Sequence, residues 1–169
     1  LLPKAGEMNP ADVAVVELSS FQLMDMEHSP KVAVLTNLAP NHLDVHKDMA
    51  EYVAAKENIY LHQTAGDTVV LNRDNKITHS FVPKAKGTVL EFSRRTRPQR
   101  GVYLEDGVIW RCGGPPEKIL EQSEIFLPGI HNVENYMAAI CAVEGLASDE
   151  DIRHVARNFG GVEHRIELV

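Results

Sequence analysis

The sequence predicts an α/β fold, a mostly parallel sheet flanked by helices, with a small antiparallel β-hairpin part in the second half of the chain. Three observations predict it. Short apolar runs at residues 13–18, 32–36 and 68–71 have the continuous hydrophobicity of strands covered on both faces. A stretch with helical spacing separates the second run from the third, the rhythm of a βαβ crossover. Further on, Asp106-Gly107 lies between two short β-type runs, which is the turn signal of a hairpin.

Each element follows from its own residues. The run Val-Ala-Val-Val-Glu-Leu at 13–18 reads as a buried parallel strand closed by an acid, and Val-Ala-Val-Leu-Thr at 32–36 as a second. Residues 48–63 place Met49, Tyr52, Val53, Ala55, Ile59 and Tyr60 at helical spacing, with Asp48 as the N-cap. Gly66-Asp67 stops that helix, and residues 68–71 form the third strand. Residues 88–92 read as a strand, 102–105 and 108–110 as the hairpin, 113–117 as a Gly/Pro loop and 125–127 as a further short strand. Two helices follow, over about 132–146 and 149–158, the second capped by Ser148 and broken by Gly160-Gly161.

Composition narrows the function classes. With 169 residues the chain makes one domain with a sizeable core. A net charge of −7 argues against a general nucleic-acid binder, which needs a surplus of Lys and Arg. Cys112 and Cys141 form no CxxC pair, so neither a zinc ribbon nor a disulfide framework is expected. No apolar run is long enough to span a membrane, and no signal peptide is visible. The first residue is not Met and the last, Val169, ends a strand-like run, so the chain is expected to be a piece of a longer protein.

The chemistry-bearing residues fall at element ends. Glu17 closes an apolar run and precedes Ser19-Ser20; a strand-end carboxylate beside hydroxyls suits Mg²⁺ near a phosphate, and equally an ordinary strand-end acid. His42, Asp44 and His46 are metal-ligand types in a loop after the second strand, without zinc spacing, and a solvated loop has the same composition. Lys56 follows on the helix. As an ammonium it ligates no cation; as a carbamate it would carry two anionic oxygens; otherwise it is a surface helix lysine. Asn132 and Asn135 are three residues apart at the start of a helix, where amides supply the donor and acceptor an adenine edge requires, or where the first is simply a cap. His164-Arg165 follows the glycine break, and Arg165 suits a phosphate or the solvent alike.

The order of these signals resembles the central ATP-binding domain of the Mur ligase family, which builds the peptide of bacterial peptidoglycan. Glu17-Leu18-Ser19-Ser20-Phe21-Gln22-Leu23 is similar to the strand-end motif of the branch that adds D-glutamate. Residues 37–46 resemble the family's Asn-x-x-x-Asp-His-Leu-Asp-x-His segment, and Ala54-Ala55-Lys56 its carbamylated-lysine motif. Asn72-x-Asp74, His131-Asn132-x-x-Asn135 and His164-Arg165 resemble three later elements: the last two, the ATP-binding motif and the junction with a C-terminal domain at about 163–169.

The resemblance implies a truncated P-loop NTPase-like domain and an ATP-dependent ligase acting through an acyl phosphate. It implies a cytoplasmic monomer that takes UDP-N-acetylmuramoyl-L-alanine and D-glutamate, with ATP and Mg²⁺. Glu17, His42 and carbamylated Lys56 would hold metal, His42 and Lys56 would be catalytic, and Asn132, Asn135 and Arg165 would bind ATP. Two departures stand out: Asn41 replaces the pattern's Asp, and no GxxxxGK[ST] loop occurs in the chain. A piece without that loop is expected to be inactive as a ligase, because nothing in it cradles the β- and γ-phosphates. The alternatives are another Mur-type or folylpolyglutamate-type ligase, or an inert α/β module.

Overall fold

The computed structural model of the chain describes residues 6–39 and 47–161. In chain order these contain α1 (Ser20–Met24), β1 (Val32–Leu35), α2 (Met49–Leu61), β2 (Thr68–Asn72), α3 (Lys76–His79) and β3 (Thr88–Ser93). There follow β4 (Gly101–Glu105), β5 (Val108–Cys112), β6 (Glu117–Glu121), α4 (Ile130–Ala142) and α5 (Asp149–Asn158). The strands form one six-stranded sheet in the order β1-β2-β3-β4-β5-β6. The pairings from β1 to β4 are parallel and those from β4 to β6 antiparallel. The hairpin is therefore an extension of the same sheet.

Strand alternation divides the core into two layers. Ala33, Leu35, Val69 and Leu71 pack with Tyr52, Tyr60 and Phe81 on the face covered by α2. Val70, Leu90, Phe92, Val102 and Ile109 pack with Met137, Ile140 and Ile152 on the face covered by α4 and α5. Each such apolar side chain taken fully from water contributes roughly 1.5–3 kcal/mol. Asp48 caps α2 as expected, accepting from Glu51 N at 2.9 Å, while Glu51 accepts from Lys47 N at 2.6 Å.

Three expectations are corrected. Residues 13–18 form no strand, and Val13, Val15 and Val16 are 65%, 94% and 45% exposed. A strand apolar on both faces needs a paired edge and two covering layers. This segment instead stands off β1, with a cavity between residues 16–18 and 34–38. Residues 125–127 form no strand: the chain bends at Phe126 and Leu127, and Phe126 N donates to Ala156 O near the end of α5. The helix expected over 132–146 runs Ile130–Ala142 instead, capped at Val143. Three elements are absent from the sequence expectations: α1, which starts from the Ser19 cap, α3 and β6. The short helix α3 starts from the Asn75 cap, and β6 pairs with β5 through a register shift at Ile109/Trp110 that buries both Ile119 and Leu120.

The β3–β4 link, residues 94–100, is short for a parallel connection. It suffices because only Glu91, Phe92 and Ser93 overlap with Gly101, Val102 and Tyr103, so the chain steps back about 10 Å. Gly101 makes the approach possible: its φ is +128°, and a Cβ there would lie 2.0 Å from Glu91 O. Gly101→Ala is accordingly expected to destabilise the chain by more than about 2 kcal/mol in urea unfolding. A loss within about 0.5 kcal/mol would show that the strands separate freely at this point.

Candidate functional site

The parallel strands end on one side of the sheet, and at the carboxyl end of β1 lies a cavity of about 370 Å³ bordered by Leu35, Asn37, Glu17, Tyr52 and Lys56. A cleft of about 440 Å³ adjoins it, bordered by Ser19 and Gln22 and sharing Glu17, Tyr52 and Lys56. Local hydrogen bonding positions the Glu17 segment. Ser19 Oγ accepts from Gln22 N at 3.3 Å and Gln22 Oε1 accepts from Ser19 N at 2.9 Å, a capping box at the start of α1. Asn58 Nδ2 donates to Leu23 O at 2.9 Å and Met24 O at 3.0 Å, tying α1 onto α2. Two residues of the Ser-Ser-Phe-Gln-Leu run thus have a local structural role, and the Ser-x-x-Gln spacing is the signal for it.

Lys56, from the middle of α2, donates to Leu18 O at 3.2 Å. Burial pushes its ammonium below the ordinary lysine range, and the nearby Glu17 charge pulls part of the way back. The pair brings together a carboxylate and an amine whose neutral form is easier to reach than on a surface lysine.

The opposite wall is Thr36, Asn37 and Leu38, the continuation of β1. The β1–β2 ladder ends at Leu35 and Leu71, and side-chain amides take over from it. Asn72 Nδ2 donates to Thr36 O at 2.9 Å. Asn75 Nδ2 donates to Leu38 O at 2.8 Å and to Asn37 Oδ1, while Asn75 Oδ1 accepts from Ile77 N at 3.0 Å and Thr78 N at 3.1 Å. Asp74 faces β3, accepting from Ser93 Oγ at 2.6 Å and Arg94 N at 2.7 Å. The Asn72-x-Asp74 element is thus a brace across three strand ends.

Asn132 and Asn135 lie elsewhere, on α4, bordering a groove of about 240 Å³ with Leu127, Tyr136, Val155 and Phe159. Asn132 is 4% exposed and spends its Nδ2 on Pro128 O at 2.7 Å, closing the turn before the helix. Asn135 is exposed one turn on. Arg94 Nε donates to Glu134 Oε1 at 2.5 Å, holding the first turns of α4 against the carboxyl end of β3. The structure therefore brings Glu17 and Lys56 together and places both asparagines at a second groove. Asn41, His42, Asp44, His46, His164 and Arg165 lie outside the described residues. Among the described residues no three His, Cys, Asp or Glu side chains cluster as a metal would require, and no helix is long and apolar enough to cross a membrane.

An α/β sheet with ionisable side chains collected at the carboxyl ends of parallel strands is the architecture of a ligand-binding enzyme domain. The Mur ligase middle domain matches residues 3–143. The chain belongs to the Mur ligase family, as part of its middle domain. It is 52% identical over 170 residues to the UDP-N-acetylmuramoylalanine--D-glutamate ligase of Acetivibrio thermocellus, covering all of this chain and 36% of that protein. The ligase of the same name from Clostridium botulinum is 47% identical over 169 residues, again with 36% of its length covered. The chain thus spans about a third of the curated relatives it matches. Solved structures show the same fold. A MurF structure from Acinetobacter baumannii aligns with TM-score 0.64 at 20% identity, covering 83% of this chain and 32% of that one. A murein peptide ligase from Psychrobacter arcticus aligns with TM-score 0.63 at 17% identity, covering 84% and 30%.

The Glu17–Lys56 coupling has a measurable sign. Glu17 raises the Lys56 pKa, so Glu17→Gln lowers it further and increases the neutral fraction near pH 8. Cyanate labelling of Lys56, read by peptide mass spectrometry, is expected to be faster in Glu17→Gln than in the parent chain, with exposed Lys31 as internal reference. An unchanged ratio would show that the two groups do not sense each other.

Proposed function

We propose that this chain is the catalytic middle portion of an ATP-dependent ligase that joins D-glutamate to UDP-N-acetylmuramoyl-L-alanine, a cytoplasmic monomer in the complete protein. The observation that carries the reading is the Glu17–Lys56 cleft at the carboxyl end of β1, within a chain that matches ligases of that name along its whole length. The residues fit a divalent cation only in one protonation chemistry. Glu17 is a hard anionic donor. Lys56 becomes one only as a carbamate, which forms when its neutral amine attacks CO₂ and loses a proton, and burial favours that neutral amine. His42 is assigned to the same metal as the carbamate and Glu17 to the other.

Mg²⁺, when bound, supplies neutralisation of the mutual repulsion between a substrate carboxylate and the triphosphate. The rest falls to the protein. Glu17, and Lys56 once carbamylated, would hold negative oxygens toward the cations. The buried side chains of Tyr52, 7% exposed, and Leu38, 4% exposed, contribute apolar surface to the wall. Asn135 and the apolar sides of the α4–α5 groove fit an adenine, which has two apolar faces and a hydrogen-bonding edge; Arg165 is assigned to the phosphates.

In the full-length enzyme, Lys56→Ala is expected to lower kcat by at least about a hundredfold, the scale on which loss of an oriented electrostatic group acts. Added acetate should restore part of it by replacing the missing oxygens. A near-normal kcat at saturating Mg²⁺ would return Lys56 to the role of a plain helix residue.

Asn135→Ala should raise KM for ATP about five- to tenfold with kcat nearly unchanged, since an adenine contact is alike in ground and transition states. A collapse of kcat at constant KM would remove Asn135 from the adenine edge. Comparing D-glutamate with L-alanine, diamino acids and L-glutamate as substrates separates this branch from the other ligases of the family.

A further inference from the structure

The amide of Asn75 is oriented without ambiguity by the backbone around it. Its Oδ1 accepts from two N–H groups, Ile77 N and Thr78 N, and its Nδ2 donates to a carbonyl, Leu38 O. N–H groups only donate and C=O groups only accept, so the flipped amide would lose all three bonds. The second proton of Nδ2 goes to the Asn37 side chain, which must therefore turn its Oδ1 toward Asn75. An amide presents oxygen and nitrogen on divergent sides. Asn37 is exposed and borders the cavity shared with Glu17 and Lys56.

We propose that Asn37 is a ligand-binding residue whose Nδ2 donates into the Lys56 cleft, and that Asn75 is the positioning residue that fixes this polarity. The ligand group it would meet carries acceptor oxygens, a phosphate or a carboxylate, complementary to an N–H donor beside a lysine. The inference rests on the reading of the cleft as the ligase centre. It assigns Asn75 a role beyond capping. Of its four hydrogen bonds, two serve the start of α3 and two serve the cleft wall, and the two sets can be separated chemically.

Asn75→Asp separates them. A carboxylate caps a helix as well as an amide does, so α3 keeps its N-cap. The new carboxylate cannot donate, so Leu38 O loses its partner and faces an acceptor, while Asn37 reverses, gives its Nδ2 to the carboxylate and turns Oδ1 to the cleft. Asn75→Ser also keeps a capping oxygen and releases Asn37 without adding charge. The measurements are KM for ATP, KM for the UDP-linked acceptor and Tm, on full-length enzyme, for these two variants and for Asn37→Ala.

Asn37→Ala and Asn75→Asp are expected to raise the same KM about tenfold, with the other KM within twofold; Tm stays within a few degrees in Asn37→Ala and falls in Asn75→Asp, which loses the bond to Leu38 O. A rise for ATP identifies a phosphate of the nucleotide as the ligand group; a rise for the acceptor identifies an oxygen of that substrate, its carboxylate or its diphosphate. Unchanged KM values in Asn37→Ala would overturn the proposal. A rise in Asn37→Ala with none in Asn75→Asp would overturn the role of Asn75. Should Asn75→Asp fail to fold, Asn75→Ser decides by the same criterion. The Lys56→Ala variant keeps the two readings apart. If it is active, the cleft reading fails; if it is inactive while Asn37→Ala is silent, only the present inference fails.

Discussion

Parallel pairing of β1, β2 and β3 is the constraint on which the rest of this structure depends. It brings three strand ends to one side of the sheet, where each chain must leave and where no ladder remains to hold it. The protein meets that demand with side chains. Asn72 and Asn75 reach from the end of β2 to the backbone leaving β1, and Asp74 reaches to Ser93 and Arg94 at the end of β3. Thr78, wholly buried, donates to Asn72 O at 2.6 Å and locks the turn between them. A polar brace of this kind is costly when half satisfied, because each unpaired buried group forfeits its hydration. Here each of the three braces has at least one bond to backbone, and Asp74 and Asn75 add one each to a side chain, Ser93 and Asn37, which makes the strand ends rigid platforms.

That rigidity explains why the cleft is built where it is. Its inner wall is fixed by the asparagine brace, and its outer wall by the α1 capping box and the Asn58 tie to α2. Lys56 enters between them from α2, whose register is set by Tyr52, Ala55 and Tyr60 in the core. The lysine reaches the cleft because the helix buries the residues three or four positions to either side. Its depressed pKa is a consequence of the same packing, with no special partner needed.

Much of this was legible in the sequence. Periodicity gave β1, α2, β2, β3 and the hairpin, because in each the apolar pattern is satisfied within the chain itself. Residues 13–18 carry an equally clear strand pattern and form none, since pattern records what a segment could bury and not whether a partner is beside it. β6 escaped because the register shift lets the neighbours Ile119 and Leu120 both join the core under α4 and α5, which breaks the alternation that marks a strand. At the site, Glu17 and Lys56 were visible as residue types, and their meeting in one cleft is what the structure adds. The roles of Asn37 and Asn75 were not legible, because they depend on which way an amide faces. Only the backbone groups around it determine that.

The charges in the cleft set a condition on any cation there. The Lys56 ammonium competes with any metal ion for the Glu17 carboxylate, since the two side chains sense each other's charge. Under the proposed reading, carbamylation exchanges the ammonium for an anion, and the pair becomes two negative groups across a partly buried space. Two like charges there raise each other's energy unless something positive lies between them. Carbamate and cation therefore stabilise one another, and each is disfavoured alone. Desolvation works in the same direction at both ends, by making the neutral amine accessible before reaction and by strengthening the attraction to the cation after it. The depressed lysine, the nearby carboxylate and the buried Tyr52 and Leu38 form one electrostatic device under this reading, with occupancy of the metal sites and modification of Lys56 thermodynamically linked.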